Sequence, residues 1–166
     1  MSIPLVIPDR NFLGRLGMVV FLVSELEGLL KGDLIRFHAL LPTELNYGQP
    51  KGQRVTGMTT NELGEYFIAH APKSTDPAVA EYYRVGGEAL VEIAPKRNAM
   101  LHSIPGVDGN DPQQKLRLLR WKISGKNYEA PHMISDEWLD GVIHDIQVLR
   151  ARVVAARPLS PGETQA

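Results

Sequence analysis

The chain contains no cysteine. Disulfides, thiolate nucleophiles and cysteine-ligated metals are therefore excluded. Net charge is almost missing as well: 18 Lys and Arg stand against 19 Asp and Glu, a formal balance of -1. That excludes a bulk electrostatic grip on nucleic acid and leaves only a local basic patch to serve. Long apolar runs are lacking too. The longest, Met18 to Val23, has six residues, whereas crossing a bilayer takes about 20. The start, MSIPLVIPDR, has no charged region ahead of a long apolar stretch, so no secretory signal is read and a cytoplasmic protein is expected. What remains is ordinary: 166 residues, 43% hydrophobic and 22% charged, suit one globular domain.

Two prolines in residues 1–10 predict an extended N-terminal arm. A single helical domain should fill residues 11–157, and residues 158–166 should be a disordered tail. Phe12, Leu16, Val19, Val20, Val23, Leu26, Leu30, Leu34, Phe37 and Leu41 recur at steps of three and four, the mark of one buried helical stripe. Asn11 is the expected N-cap and Pro42 the expected stop. Gly28 and Gly32 leave open whether this is one helix or two. Residues 42–58, rich in Gly and Pro, read as a surface loop. Thr59 and Glu62 have the spacing of a capping box, opening a short helix that buries Leu63 and Phe67 and ends near Ala71. Asp76-Pro77 opens another helix carrying Val79, Tyr82, Tyr83, Leu90 and Ile93. Gly86-Gly87 reads as a soft spot in it, and Pro95 either kinks it or restarts it. Residues 104–114 are turn formers. Partial alternation over 115–124, then Gly125-Lys126-Asn127 and the run from Tyr128 to Ile134, predict a small β-hairpin. Ser135 should cap a last helix with Trp138, Leu139, Val142, Ile143, Ile146, Leu149 and Val153 on its stripe. The expected class is mostly α, a helical bundle with a small β-hairpin before the last helix.

No phosphate-binding glycine loop and no serine-hydrolase signature is present. His38, His70, His132 and His144 lack paired ligand spacing and read as packed or surface residues, so no metal and no cofactor is expected. One string stands apart: Pro95-Lys96-Arg97-Asn98-Ala99-Met100-Leu101-His102. Arginine can fork two donors onto phosphate oxygens, and histidine moves protons near neutral pH. Together they suit cleavage of a phosphodiester. Five residues on an ideal helix separate Arg97 and His102 by about 140° around the axis. Convergence on one phosphate then needs the reach of Arg97, a helix end near His102 or a second chain. The plainer reading is a charged helix end capped by His102. A second stretch, Lys115, Arg117, Arg120, Lys122 and Lys126, holds no acidic residue between Asp111 and Glu129 and includes Trp121. Basic residues beside an aromatic suit single-stranded RNA, whereas a solvated strand face with Trp121 turned inward is the plainer reading.

The motif and its flanks resemble the HEPN superfamily, the higher eukaryotes and prokaryotes nucleotide-binding domains. Arg97, Asn98 and His102 match its signature of arginine, a polar residue and then histidine. LGRLGMVVFLVSELEGLL is similar to the family's first long helix, with an acidic residue late in it, and GMTTNELGEYF to the short helix that follows. ALVEIAPKRNAMLHS is similar to the helix that delivers the motif, and ISDEWLDGVIHDIQVLRARV to the closing one. The chain departs from the pattern at Pro95, where similar sequences continue as helix, and at Ser103, where glycine is common. The resemblance implies an α-helical bundle and a symmetric homodimer whose motifs face each other. It implies a metal-independent endoribonuclease of toxin or defence type, cutting by attack of the ribose 2′-OH. His102 would be general acid or base, Arg97 the stabiliser of phosphorane charge and Asn98 an orienting group. Lys96, Lys115, Arg117, Arg120 and Lys122 would contact RNA. A nucleotidyltransferase-like antitoxin is an implied partner, and no membrane is. The alternative is a non-catalytic dimeric module of the same fold that binds a nucleotide, RNA or a partner protein.

Overall fold

The computed structural model describes residues 8–107, 116–120, 123–124, 127–128 and 132–159. Among these residues are five α-helices, a three-stranded antiparallel sheet (β1-β2-β5) and a two-stranded one (β3-β4), in the order α1 (Arg10–Arg36), α2 (Pro50–Gln53), α3 (Thr60–His70), α4 (Pro77–Leu101), β1 (Ile104–Val107), β2 (Leu116–Arg120), β3 (Ile123–Ser124), β4 (Asn127–Tyr128), β5 (His132–Ile134) and α5 (Asp136–Ala156). The class is mostly α with a small sheet, as the periodicities require.

Helix α1 is a single rod that runs through Gly28 and Gly32. Both glycines lie on its outer side with open space beside them. Its cap is Asp9, whose carboxylate accepts the Phe12 amide at 2.9 Å, not Asn11, which lies within the helix, as does Arg10 from the expected arm. It also stops before Pro42. His38 Nδ1 sits 2.9 Å from the Ile35 carbonyl oxygen, and the Asn46 amide donates to the His38 carbonyl at 3.0 Å. These side chains satisfy carbonyls at the helix end and turn the chain into the short 3₁₀ segment His38–Leu40. The stripe holds for Phe12, Val19, Val23, Leu26, Leu30, Leu34 and Phe37, with Leu22 added, while Val20 is 49% exposed on the far side.

The loop expected over 42–58 contains α2 and a 3₁₀ turn, Arg54–Gly57. Leu45 and Val55 are buried there, and Gly52 sits so close to Asn46 that a β-carbon would fall 2.0 Å from its carbonyl oxygen. Helix α3 has its capping box: Glu62 accepts the Thr59 amide at 2.8 Å and the Thr59 hydroxyl accepts the Glu62 amide at 3.4 Å. Asp76 caps α4 by accepting the Ala78 and Val79 amides at 2.7 and 3.1 Å.

Helix α4 runs without interruption past Gly86-Gly87 and Pro95. The glycine pair is a crossing point, not a soft spot. Leu30 of α1 fills the space a β-carbon of Gly86 would need, and the backbones of Gly87 and Gly64 of α3 touch. A β-carbon on either glycine would lie 2.7 Å from the other's carbonyl oxygen.

The expected hairpin is present as β2 paired to β5 and β3 paired to β4, all antiparallel, in registers such as Leu118 to Ile134 and Ile123 to Tyr128. One addition was not expected: residues 104–107, read as turn formers, make β1 on the other side of β2, with Ile104 opposite Leu119. An edge position tolerates Pro105, and Gly106 leaves the room that the Leu119 side chain occupies. Ser135 caps α5 as expected, accepting the Trp138 amide at 3.2 Å. Leu139, Val142, Ile146, Leu149 and Val153 are buried, and Trp138 packs half-buried at the core's margin. Residues 1–7 of the arm and 160–166 of the tail lie outside the described residues. No described helix is long and apolar enough to cross a membrane.

Two ionic knots fasten the bundle. In the first, Asp33 of α1, 4% exposed, accepts the Tyr82 hydroxyl at 2.7 Å and both Nε and Nη2 of Arg157 at 2.7 and 2.6 Å. In the second, Arg117 of β2 donates to Asp9 and Asp136, each at 2.9 Å, while its guanidinium lies 4.7 Å from the centre of the Phe12 ring. Both carboxylates stand at helix N-termini, where the dipole also favours them. The Phe12 amide and then Arg117 hold the Asp9 carboxyl below its ordinary 3.8. A carboxyl with a depressed folded pKa stabilises fully above its unfolded value, and loses that contribution as pH falls through the folded one. Asp9→Asn should therefore melt below wild type at neutral pH, with the gap narrowing as pH drops under 3.8. Melting curves across that range check it, and a gap constant with pH would contradict it.

Candidate functional site

The singled-out string ends α4. Arg97 follows Leu90 by seven residues and Tyr83 by fourteen, so it continues a row whose earlier members are buried. It is half-buried and lines a narrow cleft of about 80 Å³ with Leu101 and with Val20, Val23, Ser24 and Glu27 of α1. Its Nη1 donates to Asn98 Oδ1 at 3.3 Å. Among the described residues no carboxylate pairs with Arg97, whereas Arg15, Arg84, Arg117 and Arg150 each have one. A permanently charged fork is thus kept within a partly closed cleft and left available to an anion.

His102 is the C-cap of α4 and is exposed; its amide bonds the Asn98 carbonyl at 3.1 Å. Arg97 lines the cleft beside α1 and bonds Asn98, while His102 is exposed at the helix end, five residues on, about 140° round the axis of an ideal helix. Several apolar side chains at this end of the molecule are exposed: Met18, Val20 and Phe21 of α1, with Leu101 and Ile104, are each 47–63% exposed. On α1 this outer face continues through Gly17, Ser24 and Gly28, where nothing crowds the glycines.

Glu27 is a cleft residue that the sequence reading did not single out. Its carboxylate accepts the buried Thr60 hydroxyl at 2.6 Å and Lys31 at 3.4 Å. The signal was an acid placed four residues after Val23 and three before Leu30, inside the apolar stripe.

The residues expected to contact RNA are placed differently. Arg117 is 7% exposed and spent on Asp9 and Asp136, so it cannot present its guanidinium to a phosphate. Its alternation with apolar neighbours suggested a solvated face, but two carboxylates cover it. Lys96 is ion-paired with Asp145 of α5. Lys115, Trp121, Lys122 and Lys126 lie outside the described residues, as does the side chain of Arg120.

His70 stacks on Tyr66 with ring centres 4.3 Å apart, and burial, then Lys73, keep its pKa below the usual histidine value. Among the described residues no three His, Asp or Glu side chains are grouped to share a metal ion. A surface cleft of about 610 Å³, lined by Arg54, Met58, Glu62, Glu65 and Tyr66, shares no residue with the Arg97 cleft. Compared with known proteins, the chain matches no family model, no curated sequence and no solved structure.

Proposed function

We propose that this chain is a metal-independent endoribonuclease of the HEPN type, cytoplasmic and active as a symmetric homodimer. One observation carries the reading: a half-buried arginine that forms no ion pair among the described residues shares a helix end with an exposed histidine, near exposed apolar side chains of α1. Within one chain Arg97 and His102 stand five residues apart, about 140° round the axis of an ideal helix. A second copy seated on the outer face of α1 and the end of α4 would bring the histidine of one chain to the arginine of the other.

The reaction follows from the side chains. His102 takes the proton of the ribose 2′-OH as the oxygen attacks phosphorus, and the bond to the 5′-oxygen breaks. The leaving 5′-oxygen receives a proton from the partner copy's imidazolium or from water. Arg97 meets the phosphorane charge, and Asn98, bonded to Arg97, holds the fork. The products are a 2′,3′-cyclic phosphate and a 5′-hydroxyl. RNA, a second copy and a nucleotidyltransferase-like antitoxin are the partners of this reading.

The test is incubation of the purified protein with RNA in EDTA, followed by analysis of product ends. Cyclic-phosphate ends that persist in chelator are expected. A folded dimer that binds RNA or nucleotide and cleaves nothing, across structured and single-stranded substrates, would overturn the enzymatic reading in favour of a non-catalytic module.

A further inference from the structure

Pro95 sits inside α4, two residues before Arg97, and is exposed. Its ring nitrogen has no hydrogen to give the Val91 carbonyl, and its ring crowds that carbonyl. The backbone ladder thus has a gap just where the functional end of α4 begins. Beyond the gap, Ala99 and Met100 are buried, which holds the segment against the core but does not by itself set its rotation. A directional fastening is found one residue on. Lys96 reaches across to Asp145 in the third turn of α5 and makes both a hydrogen bond and an ion pair with it. Adjacent helical residues project about 100° apart. Holding Lys96 against α5 therefore turns Arg97 away from α5 and into its cleft beside α1.

We infer that Lys96 and Asp145 are positioning residues: their ion pair bridges the gap left by Pro95 and fixes the rotation at which α4 presents Arg97 and His102. The activity part of this inference rests on the ribonuclease reading; the structural part does not. The pair is open to water on both sides, at 34% and 43% exposure, so its removal barely alters global stability. Its effect is local.

The experiment compares wild type, Asp145→Asn, Lys96→Ala and the charge swap Lys96→Asp with Asp145→Lys. Amide exchange is followed at His102 and Ser103, whose amides bond the Asn98 and Met100 carbonyls. In the single variants, exchange at these amides should quicken about threefold to fivefold with an almost unchanged melting temperature, in keeping with a surface pair. RNA cleavage should lose a similar factor in kcat with KM unaltered, and the swap should restore both. Pro95→Ala, which returns the missing bond, should slow exchange at the same amides. Unchanged exchange in Asp145→Asn, or no recovery in the swap, would overturn the inference. If wild type cleaves no RNA, the ribonuclease reading fails, and exchange still decides the role of the pair.

Discussion

Arg97→Ala and His102→Ala should each lower RNA cleavage by at least ~100-fold, because a positioned acid or base contributes ~100- to 10,000-fold. Neither loss should come from unfolding. His102 is exposed and, among the described residues, the side chain of Arg97 bonds its neighbour Asn98 alone, so thermal melts should shift little. The stronger test mixes the two inactive variants by co-expression. Half of the dimers are then mixed, and each mixed dimer has one site with Arg97 from one chain and His102 from the other. About a quarter of the wild-type sites are rebuilt if the site is shared across the two-fold axis. Recovery near that level would establish a composite site. Mixed dimers with no recovery would show that each chain builds its own site, with Arg97 and His102 of the same chain acting together.

The second large effect is on stability. Asp33→Ala should cost about 3 kcal/mol in urea denaturation, the low end for breaking a buried ion pair. Asp33 holds three donors, and the Tyr82 hydroxyl has no route to water once it leaves. Arg157, a third exposed, can turn outward, which keeps the loss from being larger. Tyr82→Phe removes one bond and no charge, so about 1 kcal/mol is expected. A cost under ~1 kcal/mol for Asp33→Ala would mean that the knot is already hydrated.

The starts of α3, α4 and α5 were legible because their causes are local, whereas the cap of α1 is Asp9 and not the expected Asn11. Thr59 with Glu62, Asp76 with Pro77, and Ser135 each place donor and acceptor within three residues. The end of α1 was not legible, because it depends on Asn46 reaching back to His38. Strand β1 escaped for the same reason: a Pro-Gly stretch becomes a strand only when β2 arrives beside it. Gly86-Gly87 looked weak since nothing in its own neighbourhood announces Leu30 and Gly64. Arg117 misled most. Its two carboxylates lie 108 and 19 residues away, and a charge counted in sequence says nothing of its cover. In the candidate site, the five-residue separation of Arg97 and His102, about 140° on an ideal helix, was legible from helical geometry alone. The cleft was not, because it needs α1 and α4 together.

The touch between Gly64 and Gly87 also bears on how such a sequence changes over generations. A β-carbon at one position is admissible only after the helices part, and once they part the other glycine has lost its purpose. Enlarging either side chain would force the helices apart, although 23 positions separate the two glycines, and a recombination breakpoint in the short turn between α3 and α4 would join halves whose surfaces no longer fit.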